Sequence, residues 1–184
     1  MRPVIALRWP GSGGDAVLIA SDPRASIGHL IWEEMKTYPI VARASGEEVP
    51  IAIAGGAGDA PPVKQGFRMA EKVLFDLFRR EWGSRTPMFE EFEDAVTEVE
   101  RRLMARFREL REMEVPVSFQ MVLGSVDPKG RASIYLFNDK GIAEPVHDNP
   151  SFAIIGSGSF TGGLLLMRLF GPAVRGTTGP SRPS

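Results

Sequence analysis

The side chains that could do chemistry lie in a few short segments of this chain. Asp22 and Arg24 follow an apolar run, Lys36 precedes another, Asp59 ends a third, and Ser157 stands in a Gly-Ser-Gly-Ser sequence. Taken singly, each has an ordinary structural explanation. The Asp-Pro step at 22 predicts a turn with Arg24 in solvent, Asp59 predicts a helix N-cap, and Ser157 predicts a turn before a helix.

Several kinds of chemistry are disfavoured by the residues that are missing. The chain has no cysteine, which excludes disulfides, thiolate metal sites and a cysteine nucleophile. His29 and His147 are its only histidines, so we predict no metal site and no cofactor. The glycine run at 11–14 lacks the Gly-Lys-Ser/Thr ending of a phosphate loop and does not lead into a helix.

Length and composition indicate one globular domain. The chain has 184 residues, 43% of them hydrophobic and 24% charged, with a net charge of −1. A chain so balanced has no global reason to bind nucleic acid or an anionic membrane. It contains no apolar run of about 20 residues and no apolar core of a signal peptide, which predicts a cytoplasmic protein.

The first sixty residues predict strands. Residues 4–7 and 16–20 are apolar runs on either side of a glycine-rich turn, which predicts a β-hairpin. Because both runs are apolar at every position, we expect their sheet to be covered on both faces. Residues 51–54 form another strand, which leads into small residues and a helix capped by Asp59.

Two helices are predicted in the middle of the chain, the first from Asp59 until Gly83-Ser84 breaks it and the second over 86–111, with Thr86 as N-cap and Pro87 in its first turn. Glu98 and Arg102 are spaced to pair on the second helix, and its many arginines alternate with glutamates, which favours a solvated or subunit-facing surface. Apolar residues recur at helical spacing and are expected to pack on a neighbouring layer. They are Val63, Phe67, Ala70, Leu74, Leu77 and Phe78 in the first helix, and Phe89, Phe92, Val96, Val99, Leu103, Phe107 and Leu110 in the second.

The last third predicts a second block of strands. Residues 117–124, 132–137 and 142–146 form an antiparallel meander, and 152–155 a further strand before a helix at 161–170. Strands in two blocks with helices between them predict an α+β domain of two antiparallel sheets stacked face to face. The Pro-, Gly- and Ser-rich residues 172–184 are expected to be a disordered tail, which leaves 1–171 as the domain.

Three motifs resemble the proteasome β-subunit family of N-terminal-nucleophile hydrolases. They are Ala-Ser-Asp-Pro-Arg-Ala-Ser-Ile-Gly at 20–28, Lys36 four residues before Ile40, and Ala-Gly-Gly-Ala-Gly-Asp at 54–59, in the family's order and at nearly its spacing. The Gly-Ser-Gly-Ser turn at 156–159 also fits, and the resemblance runs from residue 3 to about residue 170. It implies a four-layer α-β-β-α sandwich of two antiparallel sheets.

The resemblance also implies roles for particular residues. In this family an N-terminal threonine supplies the attacking hydroxyl and, through its amine, the base. Lys36 would lower the pKa of that hydroxyl, Asp22 would fix the lysine, and the Gly55 N–H would bind the oxyanion. Arg24 would order the Asp22 loop. By the same matching, Ser157 would support the amine and Ile53 would line the substrate pocket.

The nucleophile itself is not found. The position that matches the threonine is Arg2 or Met1, and the first hydroxyl residues are Ser12 and Thr37. With this start the threonine mechanism cannot run. Family members also continue past the helix after Ser157 through another helix and two strands, so we expect the fold to be incomplete at its C-terminus.

Three functions follow as expectations. The first is a noncatalytic or degenerate proteasome-like subunit related to threonine-type peptidases. The second is an active threonine peptidase subunit, with a polypeptide substrate, whose true N-terminus differs from the one given. The third is an unrelated small-molecule-binding α+β domain. The family implies a homo-oligomer or related ring subunits as partners. If the family assignment is right, Asp22, Lys36 and Gly55 should converge on the start of the first strand.

Overall fold

The chain is an α+β domain with ten strands and two helices in the part that is described. The computed structural model describes residues 3–21, 24–27, 30–33 and 36–157, with only the backbone at 24–27 and 30–33. The strands are β1 Val4–Trp9, β2 Ala16–Ser21, β3 Arg24–Ile27, β4 Leu30–Glu33, β5 Thr37–Ala44, β6 Glu47–Gly58, β7 Phe119–Val126, β8 Ala132–Phe137, β9 Ala143–Pro145 and β10 Phe152–Ile155. The helices are α1 Ala60–Arg80 and α2 Phe89–Glu112. The predicted helix at 161–170 and tail at 172–184 lie outside the described residues.

Two antiparallel sheets make up most of this domain. The first has the strand order β10-β1-β2, and the second has the order β5-β6-β7-β8-β9. The hairpin predicted from the apolar runs at 4–7 and 16–20 is confirmed as β1 and β2. β3 and β4 form a separate two-stranded ribbon where the sequence predicted only a turn. The sequence signal for this ribbon is a pair of four-residue segments, 24–27 and 30–33, separated by two residues, one of which is glycine.

The two sheets stack face to face with a small apolar core between them. Eight buried side chains from both sheets form this core: Val4, Ala6, Ala57, Val122, Ile134, Val146, Ala153 and Ile155. The larger core lies on the opposite face of the second sheet, where α1 and α2 pack. The described part of the chain is therefore a sandwich of helices, sheet and sheet.

The apolar stripes of both helices are confirmed, with small differences at their ends. Every predicted position is buried except Leu77 and Leu110, which are half-buried. Asp59 is the N-cap of α1 by position, but its side chain makes no capping hydrogen bond.

The predicted N-cap of the second helix is wrong by two residues. α2 begins at Phe89 with Met88 as N-cap. The Thr86 hydroxyl donates a hydrogen bond to the Pro50 carbonyl 3.1 Å away, so it is used between elements rather than as a cap. Instead, the Met88 N–H donates to the Glu91 carboxylate at 2.7 Å, which satisfies one of the free donors at the helix start.

The outer face of the first sheet is apolar but only partly covered. Both described helices pack on the second sheet, and Trp9 and Leu18 are 51% and 50% exposed. Among the described residues, the expected cover on both faces is therefore incomplete at this end of the β1–β2 hairpin.

A charged network ties the first sheet together at the end far from Val4. The Arg8 guanidinium donates to the Asp15 carboxylate at 2.8 Å, to the Asp148 carboxylate at 3.1 Å and to the His147 carbonyl at 3.2 Å. Arg8 thereby connects β1 to the start of β2 and to the segment before β10. Because Arg8 and Asp15 are largely buried, this pairing is worth more than a surface ion pair.

In the part of the chain that the structure describes, neither helix is long and apolar enough to cross a membrane.

Candidate functional site

The start of β1 is where the sequence motifs meet. Val4 pairs with Ser21 of β2 on one side and with Ile155 of β10 on the other. Ser21 directly precedes Asp22, and Ile155 directly precedes the Gly-Ser-Gly-Ser sequence at 156–159. The strand order of the first sheet therefore places the residues that lead into the Asp22 motif and into the Gly-Ser-Gly-Ser motif on either side of Val4.

Gly55 lies directly across the space between the sheets from Val4. A Cβ atom at Gly55 would lie 2.8 Å from Val4 Cγ1, 2.9 Å from Ile19 Cγ2 and 3.1 Å from Val122 Cγ2. Such distances are too short for real Cβ contacts, so a side chain here would push the sheets apart. The glycine allows the start of β1 to rest on β6 itself.

Lys36 reaches the same place through its backbone. Its carbonyl oxygen accepts a hydrogen bond from the Gly56 N–H at 2.9 Å, immediately before β5 begins. The Lys36 side chain is half-buried. Two of the three residues expected to converge, Lys36 and Gly55, are thus neighbours in space, and one of them contacts the first residue of β1.

The third residue, Asp22, lies outside the described residues. Arg24 opens β3 and pairs with Glu33 of β4 through the backbone, and its side chain is not described. The proposed ordering of the Asp22 loop by Arg24 stays a prediction.

The Gly55 N–H points along the sheet. Successive N–H groups of a strand between two antiparallel neighbours alternate in direction. Since the Gly56 N–H donates to Lys36 on the β5 side, the Gly55 N–H faces β7, where Gly55 is paired with Val122. Binding an oxyanion would require this N–H to leave the ladder, so that role stays a prediction.

Ile53 lies two residues before Gly55 on β6. Residues two apart on a strand share a face, so Ile53 faces the first sheet as Gly55 does. It is half-buried and pairs with Gly124 of β7. This position suits a pocket wall near Gly55, and its role in binding stays a prediction.

Ser157 is exposed and lies on the wall of an open groove of about 610 Å³. The ends of β6 and β10, the start of β7 and the turn after β8 form the groove. Its lining residues include Ala57, Gly58, Ser118, Gln120, Asn138, Gly156 and Ser157.

Gln120 is a site residue that the sequence reasoning missed. Its carboxamide oxygen accepts a hydrogen bond from the Gly156 N–H at 2.9 Å. The available signal was a lone amide side chain in the otherwise apolar run Phe119 to Leu123, which does not by itself identify a partner. The contact joins the two sheets at the groove.

No metal centre is formed by the residues that the structure describes. Within those ranges, histidine, aspartate and glutamate side chains make no group of three that could bind a metal ion. The groups with clearly shifted pKa values lie outside this site, on α2, the segment before α2, β5 and β8.

No protein-family model matches the chain, and no curated protein matches it. The resemblance to the proteasome family therefore stays a prediction from the sequence motifs.

Proposed function

We propose that this chain is a subunit of the proteasome β type, related to threonine-type peptidases and noncatalytic with this sequence. One observation carries the proposal. Val4 pairs with Ser21, the residue before Asp22, and with Ile155, the residue before the Gly-Ser-Gly-Ser turn. It also contacts Gly55, whose neighbour Gly56 is hydrogen-bonded to the Lys36 carbonyl. An N-terminal nucleophile placed before Val4 would have these groups around it.

The noncatalytic assignment follows from the chemistry that this start of β1 lacks. Attack on a peptide carbonyl needs a hydroxyl or thiol here, and Arg2 and Pro3 offer neither.

A fourth layer completes the proposed fold. The predicted helix at 161–170 would follow β10 and pack on the outer face of the first sheet. The outward side chains of Ile5, Leu7, Phe152 and Ile154 support this arrangement, because all are apolar and half-buried. A free antiparallel sheet face would carry polar side chains at these positions.

Restoring the nucleophile tests the proposal. In Arg2→Thr the initiator methionine precedes a small residue, so its removal exposes a threonine amine and hydroxyl. A peptide epoxyketone, which reacts with both groups of an N-terminal threonine, is then added to natural and variant chains, and intact mass is measured. We expect no adduct on the natural chain and one adduct on Arg2→Thr. A second variant tests the other matching position, Met1. It is made with a removable leader whose cleavage leaves threonine as residue 1.

Lysine variants make the test specific. Lys36→Ala in the Arg2→Thr background should slow labelling by roughly tenfold or more, since the lysine lowers the pKa of the hydroxyl. Lys129→Ala, in the exposed β7–β8 turn, is the matched control and should leave the rate unchanged. If both threonine chains fold and neither is labelled, the proposed site is wrong. An adduct on the natural chain would instead favour an active peptidase.

Assembly is the second part of the proposal. The partners would be further copies of the chain or related ring subunits. The exposed face of α2 alternates ion pairs such as Glu98 with Arg101 and Arg106 with Glu109 around the half-exposed Met104, a mixture that suits a subunit contact. Sedimentation should show species that are multiples of 20.1 kDa. A monomer at all concentrations would contradict self-assembly.

A further inference from the structure

The contact between Gln120 and Gly156 joins the two sheets at the edge of the candidate site. Gln120 lies on β7, inside the second sheet, and pairs with Ala57 of β6, two residues after Gly55. Its carboxamide oxygen accepts the Gly156 N–H at 2.9 Å, where the chain leaves β10 of the first sheet. One side chain thereby connects β7, the strand beside that of Gly55, to the residue before Ser157.

The described part of the turn that carries Ser157 begins at a glycine with a left-handed backbone. Gly156 has φ of +91°, which side chains rarely adopt, and Gly158 follows Ser157 in the sequence. Two flanking glycines give the backbone freedom on both sides of an exposed serine. The hydrogen bond from Gly156 removes part of that freedom, because it fixes the N–H direction of the residue just before Ser157.

We propose that Gln120 is a positioning residue that holds Ser157 at a set place relative to Gly55 and the start of β1. This role rests on the proposed function, in which Ser157 supports the N-terminal amine. Gln120 acts through the Gly156 backbone and does not itself touch a reacting group. Since its side chain is exposed, losing its hydrogen bond should shift the turn without unfolding the protein.

The first experiment uses the natural sequence and needs no catalysis. Gln120→Leu keeps the approximate size and removes the acceptor, whereas Gln120→Glu keeps an acceptor. By NMR on labelled protein, Gln120→Leu should speed exchange of the Gly156 amide proton by about tenfold and move the Ser157 signals. Gln120→Glu should preserve both, and its new carboxylate should titrate in the Gly156 amide shift. The other glutamine provides the control, Gln65→Leu, which should change neither.

The second experiment uses the Arg2→Thr chain and the epoxyketone. Gln120→Leu should lower the maximal rate of labelling about tenfold while leaving the probe concentration at half-maximal rate nearly unchanged, and Gln120→Glu should restore the rate. Melting temperature is followed in every variant.

The outcomes separate this inference from the proposed function. Unchanged Gly156 exchange and Ser157 signals in Gln120→Leu would overturn the positioning role whatever the labelling result. Moved signals with an unchanged maximal rate would show a purely structural contact, and would also overturn it. If the Arg2→Thr chain is never labelled, the proposed function fails and the catalytic meaning of the contact fails with it. The supporting result is moved signals and a slower maximal rate together, both restored by glutamate.

Discussion

Val4 and Gly55 lie in contact across the space between the two sheets, so close that a Cβ on Gly55 would be 2.8 Å from Val4 Cγ1. This contact fixes where the first sheet begins relative to the second. Because Ser21 and Ile155 flank Val4, the same contact also sets the distance from β6 to both neighbouring motifs. The arrangement of the candidate site therefore depends on Gly55 having no Cβ atom.

Gly55→Ala should be destabilising by about 1–3 kcal/mol, because three branched side chains surround the new methyl group and all belong to well-packed strands. The free energy of unfolding is measured by urea denaturation. Gly13→Ala is the control, since a Cβ there meets nothing within 4 Å and its φ is not positive. That change should be neutral or slightly stabilising. Equal effects of the two substitutions would mean that the sheets do not pack as closely as the structure has them.

Long periodic segments of this fold could be predicted, and short ones could not. The stripe of α1 repeats over about four turns, from Val63 to Phe78, so burial of Phe67 and Leu74 follows from spacing alone. The β3–β4 ribbon has four-residue strands, which are too short to show a period. The start of α2 was mispredicted because local capping chemistry favoured Thr86, whereas a contact with Pro50, 36 residues earlier, uses that hydroxyl.

The candidate site shows the same limit. Motif order predicts that Lys36 and Gly55 come together, and their backbones do. It does not predict which way the Gly55 N–H points, because that depends on which neighbour bonds each residue of β6. Nor does it predict the partner of Gln120, since Gly156 is 36 residues away and meets it only when the sheets stack.

Arg8→Met should destabilise the protein by about 1–3 kcal/mol, because the largely buried carboxylate of Asp15 loses its charged partner. The matched control is Arg43→Met. Arg43 also pairs within a hairpin, with Glu48, but their side chains are 79% and 68% exposed. That substitution should change stability by less than about 0.5 kcal/mol. Thermal or urea unfolding at moderate salt measures both, and similar losses from the two variants would contradict the buried network.

Glu98→Gln should cost about 0.5–1 kcal/mol at pH 7 and clearly less at pH 2, where about half of the Glu98 carboxylates are protonated. Hydrogen bonds from Arg101, and also from Arg102, lower the pKa of Glu98 from 4.5 to about 2, against the opposing effect of burial. A lowered pKa means that the carboxylate stabilises the fold above pH 4.5, and that this contribution is lost as the pH falls towards 2.

The control for this pH dependence is Glu109→Gln. The Glu109 side chain is 59% exposed, and among the described residues it forms an ion pair with Arg106 alone, at 3.1 Å. Its removal should have a smaller effect at neutral pH. Unfolding curves from pH 2 to 7 give the comparison, and a Glu98→Gln deficit as large at pH 2 as at pH 7 would show that the effect is not due to charge.

Tyr135→Phe should leave stability unchanged or raise it by up to about 1 kcal/mol. Tyr135 is 4% exposed, and its hydroxyl has no hydrogen-bond partner in the described residues. Removing an unpaired buried hydroxyl removes its desolvation cost. Tyr38→Phe is the control and should cost about 1 kcal/mol, because the Tyr38 hydroxyl donates to Glu71 at 2.8 Å. A large loss in Tyr135→Phe would reveal a partner for that hydroxyl.

Alkaline titration should separate the same two tyrosines. Burial is the main cause that raises the pKa of Tyr135 from 10 to about 12, and the hydrogen bond with Glu71 raises the pKa of Tyr38. A raised pKa means that the neutral hydroxyl is favoured in the folded state, so this stability is complete below pH 10 and is lost as the pH rises towards 12. Phenolate absorbance should therefore appear late in the folded natural chain, and Tyr135→Phe should remove its last step. Ionisation of both tyrosines near pH 10 while the protein remains folded would contradict the burial of Tyr135.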